Sequence, residues 1–237
     1  MFSRKKIAMV AAEFLGTAIL TAVVLAVSRS NIGIPYFIAL AAGLTIAAGT
    51  LVFGLASGAH FNPAITLALW SARRVKTFPA LVYVGAQLFG GISAYLLYSY
   101  LMKTSWPNVD AGEFDGRVLA AEVAGAFIFA LGWAAAVYNR LEVGKAAFVV
   151  GASLALGIFV ASTASGAFLN PAVALGARSW QWGTYVLGPI LGAVIAVNLY
   201  ALLFAPVKEL LADEDAELAE SKPAPAKVAA KSTKKKR

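Results

Sequence analysis

The chain has 237 residues, 60% of them hydrophobic and only 14% charged, with a formal net charge of +8, a single histidine and no cysteine. The absence of cysteine excludes disulfides, thiolate metal sites and a cysteine nucleophile, and the lone His60 excludes a histidine metal cluster. The basic excess lies largely in the tail, at Lys222, Lys227, Lys231 and Lys234 to Arg237, behind an acidic stretch from Glu209 to Glu220, so it marks no nucleic-acid-binding face.

Six apolar runs of about 20 residues follow one another, each long enough to cross a hydrocarbon core roughly 30 Å thick. The first, Ile7 to Val27, starts behind Arg4, Lys5 and Lys6; it is too long for the apolar part of a cleaved signal, has no small-residue cleavage site, and is expected to stay as a helix. The second runs from Tyr36 to Leu55 and leads into Ala56-Ser57-Gly58-Ala59-His60-Phe61-Asn62-Pro63-Ala64. Ala80 to Leu101, Val118 to Tyr138 and Ala146 to Thr163 come next, then Ala164-Ser165-Gly166-Ala167-Phe168-Leu169-Asn170-Pro171-Ala172, and last Thr184 to Phe204. None of the runs carries the polar stripe every 3.6 residues that a helix in a water-soluble bundle needs.

The two nine-residue segments share the pattern Ala-Ser-Gly-Ala-x-x-Asn-Pro-Ala at a spacing of 108, and Ala12-Glu13-Phe14-Leu15-Gly16 matches Ala121-Glu122-Val123-Ala124-Gly125 at a spacing of 109. The halves are copies. Three spans per half place them in opposite orientations, as an inverted repeat over about 7–102 and 118–204 whose functional site lies at the bilayer midplane. Asn followed by Pro reads as a helix cap and first helical residue. Each helix so begun has about ten residues before a boundary at Arg73 or Trp180, about 15 Å, half a bilayer. Two re-entrant half-helices would meet at their N-termini, and the polar backbone leading into them must be buried in protein or line a water-filled cavity.

Basic residues set the orientation. Arg4 to Lys6, the loop with Arg73, Arg74 and Lys76, the loop with Arg140 and Lys145, and the C-terminal tail fall on one side, expected to be cytoplasmic with both termini. Small-residue pairs at Gly54 and Gly58, Gly151 and Ala155, and Gly188 and Gly192 predict close helix crossings. Trp70, Trp106, Trp133, Trp180 and Trp182 include several near predicted interfaces, and for those anchoring is the default reading over solute stacking.

On the paired motifs Ser57-Gly58-Ala59-His60-Phe61-Asn62-Pro63-Ala64 and Ser165-Gly166 through Asn170-Pro171-Ala172, the duplicated glutamate and the six spans, the chain resembles the aquaporins, or major intrinsic proteins, over about residues 5–205. The resemblance implies an all-α membrane channel of six spanning helices plus two re-entrant half-helices, a homotetramer with one pore per subunit, no enzymatic activity and no cofactor. It places Asn62 and Asn170 face to face in the pore, donating to a passing oxygen while the positive helix ends repel cations. Both asparagines also read as plain helix caps, and the roles coexist. Glu13 and Glu122, ionisable within apolar spans, are functional candidates by position; the resemblance makes them braces of the re-entrant loops. His60 is assigned to loop packing or the vestibule.

The family's usual Arg after the second Asn-Pro-Ala is replaced here by Val173. The matching constriction positions are Ala42, Ile158 and Ala167, so the expected filter is Ala, Ile, Ala, Val. Arg178 lies five residues beyond Val173, about 140° round the helix and about 7.5 Å along it, and cannot take the same place; its expected role is at the half-helix C-terminus. Ile158, Ala167 and Val173 are similar to one group of plant tonoplast intrinsic proteins, which have a His where this chain has Ala42. A filter without a donor either admits neutral solutes larger than water, such as glycerol, urea, ammonia or hydrogen peroxide, or dewets and slows water. The other reading is a non-conducting membrane scaffold of the same fold. Expected partners are water and small neutral solutes, membrane lipid and further copies of the chain, and the expected location is the plasma membrane. The tail, 206–237, is too poor in large apolar residues to fold alone and is expected to be disordered and cytoplasmic.

Overall fold

The computed structural model describes residues 3–29, 34–105, 114–179 and 181–206. Of the sequence-based expectations, that for the tail beyond residue 206 and the placement of Trp106 and Trp180 lie outside these residues. The described elements are α1 (Arg4–Arg29), α2 (Ile34–Ser57), α3 (Pro63–Ser71), α4 (Thr77–Met102), α5 (Gly116–Tyr138), α6 (Val143–Ala161), α7 (Pro171–Gly176), α8 (Trp182–Tyr185) and α9 (Leu187–Leu203). Six helices, with α8 and α9 counted as one, are long and apolar enough to cross a membrane.

Burial runs opposite to a water-soluble protein. Glu13, Thr17, Thr21, Asn62, Thr66, Gln87, Glu122 and Asn170 are buried, while Leu44, Val52, Leu55, Phe78, Phe148 and Leu202 are exposed. An apolar exterior over a largely apolar core that also holds polar groups is stable where lipid is the solvent and those polar groups have a protein partner or an aqueous channel.

Packing repeats with the sequence. In the first half α1 packs on α2 and α4; in the second α5 packs on α6 and α9; α2 against α6 joins the halves. The half-helices cross over, α3 against α9 and α7 against α4, so each is seated on the opposite half. Asn198 on α9 donates to Ser71 Oγ at the end of α3 (2.8 Å), and Gly91 on α4 admits the backbone of Ala172.

Both half-helices end with an arginine in the left-handed region, Arg73 (φ 59°) and Arg178 (φ 54°). The Arg74 N–H donates to the Leu69 carbonyl at 2.8 Å and the Ser179 N–H to the Ala174 carbonyl at 2.9 Å, the long bond of a Schellman stop, where glycine is usual. The stop at Gly176 leaves α7 with six residues against nine in α3, shorter than the ten expected from sequence. The last span is broken at Val186, because Pro189 has no N–H and its ring crowds the carbonyl four residues back, at Tyr185. Asp115 caps α5 through the Arg117 N–H (2.8 Å), and the Arg117 side chain holds its carboxyl below the usual carboxylate range.

Of the small-residue pairs, Gly188 and Gly192 receive α5, and Gly151 meets Gly43 of α2, with Ala155 beside it, where the halves cross. Gly54 and Gly58 make no crossing: a Cβ on Gly54 would meet only its own helix, and Gly58 is a turn residue with φ +90°. A second glycine pattern emerges in space. Gly16 and Gly49 form a slot for the Phe61 ring, and their counterparts Gly125 and Gly157 form one for Leu169. A methyl added at Gly16 would overlap that ring. Gly16→Ala is therefore expected to destabilise the protein by about 1–3 kcal/mol, and Phe61→Leu, the second half's own solution, to recover at least half of the loss in thermal unfolding of detergent-purified protein. Equal loss with and without Phe61→Leu would show that the slot does not set the fit.

Candidate functional site

Asn62 and Asn170 hold the positions before α3 and α7 in extended conformation, with φ −154° and −152°. Proline at the first helical position has no N–H to orphan, so each cap serves the next residues. Asn62 Oδ1 accepts from the Ala64 N–H at 2.8 Å; Asn170 Oδ1 accepts from the Ala172 N–H at 3.0 Å and, more weakly, from the Val173 N–H at 3.4 Å.

The amide nitrogens reach across the repeat. Asn62 Nδ2 donates to the Leu169 carbonyl (2.8 Å), and Asn170 Nδ2 donates to the Phe61 carbonyl (2.9 Å). A carboxamide carries two N–H donors. One on each asparagine is spent on the opposite loop, so each retains one N–H for a third party. The carbonyls that receive them belong to the residues held in the glycine slots, which couples helix packing to the placement of the amides.

The backbone entering each cap is strained in duplicate: Ala59 (57°), Phe61 (50°), Ala167 (50°) and Leu169 (52°) all have left-handed φ. Each costs about 1–2 kcal/mol for a residue with a Cβ. The two buried glutamates hold them there. Glu13 Oε1 accepts from Ser57 Oγ (2.6 Å) and the His60 N–H (3.0 Å), and Oε2 from the Phe61 N–H (2.8 Å) and Gln87 Nε2 (2.8 Å). Glu122 accepts from Ser165 Oγ (2.9 Å), the Phe168 N–H (3.0 Å) and the Leu169 N–H (2.8 Å). Ser57 and Ser165 each accept the N–H two residues on, at 3.0 and 2.9 Å. The carboxylates touch loops and not the cavity.

His60 is buried. Thr66 Oγ1 donates to the Asn62 carbonyl (3.1 Å) and accepts from Gln87 Nε2 (2.9 Å), so this network assigns the hydrogen of its 3.1 Å contact with His60 to the imidazole Nδ1. The imidazole stands edge-on between Tyr83 and Trp133, each 5.4 Å away. A Cβ at Gly58 would come within 3.3 Å of its Nε2.

A cavity borders the amide pair. Both asparagines line it, together with Ala42, Ile158, Ala167, Val173 and Phe129. All four residues expected at the constriction are thus brought to one wall-to-wall space, from α2, α6, the second loop and α7. About 40 Å³ is open to a water-sized sphere, and a water takes ~10–15 Å³ on that measure, so about three waters fit. Arg178 is not among its walls: its guanidinium sits 5.3 Å over the Tyr95 ring and donates to Tyr95 Oη at 3.3 Å.

Gln87, Thr66, Phe129 and Trp133 were not singled out as site residues. Gln87 is the isolated amide of an apolar span, a signal of the same kind as the glutamates. Trp70 and Trp182 are exposed, whereas Trp133 is 4% exposed and packs on His60.

Comparison with known proteins gives a consistent result. The sequence model described as "Major intrinsic protein" matches residues 2–200. The chain is 34% identical over 190 residues to aquaporin-4 of Bos taurus, covering 73% of this chain and 58% of that protein. It is 30% identical over 225 residues to aquaporin Z of Photorhabdus laumondii, covering 82% of this chain and 96% of the other. The X-ray structure of the aquaglyceroporin from Plasmodium falciparum superposes with a TM-score of 0.72 at 22% identity, over 86% of this chain and 99% of that one, a likeness of fold.

Proposed function

The chain belongs to the major intrinsic protein family, and from that premise we propose that it is a passive membrane channel for water and small neutral solutes. The observation that carries the reading is the reciprocal tie of Asn62 and Asn170, which leaves one N–H on each beside a cavity with room for about three waters. A donor pair with no acceptor facing the solute orients each passing oxygen toward it. A water so held gives both of its acceptor sites to the pair, which interrupts proton hopping along the file. The N-terminal ends of α3 and α7 add partial positive charge at the same place and disfavour cations. The relatives named aquaporin support water as a permeant.

Ala42, Ile158, Ala167 and Val173 form the filter in this reading. It offers passing molecules no side-chain donor, and its small residues favour glycerol, urea, ammonia and hydrogen peroxide beside water. Integral membrane residence follows from the six apolar helices. The plasma membrane, cytoplasmic termini and a homotetramer with one pore per subunit complete the proposal, as does the division into a channel domain at 1–205 and a cytoplasmic tail.

The test is stopped-flow light scattering on proteoliposomes, comparing water, glycerol and urea for the wild type and Val173→Arg. Wild-type vesicles are expected to admit all three above empty vesicles. The arginine is expected to cut glycerol and urea entry by about tenfold, within the range that a methylene or two is worth in a tight apolar site, with water least affected. Water flux alone would mean that the apolar ring is the narrower kind, and no flux of any solute would leave the non-conducting scaffold.

A further inference from the structure

Trp133 is buried at 4% exposure, and its indole Nε1 has no hydrogen-bond partner. A buried tryptophan N–H ordinarily finds an acceptor. The imidazole of His60 is 5.4 Å from the indole, centroid to centroid, at an interplanar angle of 84°, and its Nδ1 is engaged with Thr66.

Helix register locates the orphan donor. Glu122, Phe129 and Trp133 are spaced seven and four apart on α5, which puts all three within about 40° of one another around the axis. Glu122 braces the second loop, Phe129 lines the cavity at the asparagine pair, and Trp133 follows one turn later, about 6 Å on. There it faces His60, two residues before Asn62 and therefore on the first-loop side of the pair. Three observations thus coincide: the face of α5 that lines the cavity, an unpartnered donor on that face, and an imidazole closing on it from the opposite loop.

We propose that Trp133 and His60 form a second constriction, in series with the apolar filter and on the other side of the asparagine pair, with the Trp133 indole N–H as its donor to the oxygen of a small neutral solute. A passing oxygen supplies the acceptor that the fold withholds. The indole, the largest side chain available, narrows the path, and the donor offsets part of the dehydration that the narrowing imposes. This inference rests on the channel reading above.

The experiment uses the full-length protein in proteoliposomes and reads the glycerol-to-water permeability ratio. Trp133→Phe keeps an aromatic ring against His60 but is smaller and lacks the donor; it is expected to raise the ratio about threefold or more, and Trp133→Ala further, toward the tenfold that one methylene is worth in a size-selective site. His60→Ala opens the same place from the opposite wall and must move the ratio in the same direction. Trp133→Phe and His60→Ala channels that conduct water with the wild-type ratio would overturn the constriction and leave the channel intact. A wild type at the level of empty vesicles, with conduction in Trp133→Ala, would locate the closure at this residue; empty-vesicle flux in every variant would overturn the channel reading itself.

Discussion

Glu13→Ala is expected to lower unfolding stability by at least about 4 kcal/mol. Four donors end on that carboxylate, from Ser57, His60, Phe61 and Gln87, and each buried donor left without a partner costs about 1–3 kcal/mol. The substitution also releases the His60 and Phe61 N–H groups of a loop with two residues in left-handed backbone, Ala59 and Phe61. For a chain of this length the loss corresponds to a fall of about 8–16 °C in thermal midpoint, measured on detergent-purified protein. Glu122→Ala is expected to fall less, because Glu122 receives three side-chain or loop donors and has no counterpart of Gln87. A midpoint shift below about 2 °C for Glu13→Ala would show that the loop is held by its packing and not by the carboxylate.

Asn62→Leu is expected to reduce water permeability by at least about tenfold in proteoliposomes, because it removes a donor that lines the cavity and also unties the joint that positions its partner. The Ala64 N–H loses its cap and the Leu169 carbonyl its donor, at about 1 kcal/mol for a cap and about 1–3 kcal/mol for the stranded carbonyl. Asn62→Asp separates the two effects. Its carboxylate still caps Ala64, so helix α3 should remain, but it sets an oxygen against the Leu169 carbonyl, so the cross-loop bond is lost and a negative charge faces the cavity. The aspartate variant should therefore be better folded than the leucine one while permeability is still depressed. Wild-type water flux in both variants would remove the amide from the permeation path.

What the sequence disclosed was what is written in duplicate. Asn-Pro announces a helix start wherever it occurs, and the two copies announced two starts. Glu13 and Glu122 stood out because a carboxylate in an apolar span needs partners, while their role as braces of the loops came from the family resemblance. The ends of the elements were harder to see. Arg73 and Arg178 occupy left-handed stops that sequence assigns to glycine, and Pro189 breaks the last span although an apolar run reads straight through it. The glycine slots for Phe61 and Leu169 were hidden for a different reason: Gly16 and Gly49 are on separate helices, so their spacing carries no pattern within one of them. Trp133 could not be placed from sequence, because the same side chain suits both a membrane interface and a buried wall, and only its neighbours tell which.

The reciprocal amide tie also has a consequence in time. Asn62 and the Leu169 carbonyl it binds are 107 residues apart, and Asn170 and the Phe61 carbonyl 109. At ~5–20 residues per second of synthesis, the first half emerges about 5–20 s before the second can meet it. During that interval the Asn62 amide and the Phe61 carbonyl are without the partners they have in the folded chain. A ribosome stalled before residue 170 therefore leaves not a shorter channel but a half with an exposed polar seam, the kind of product that membrane quality control can recognise.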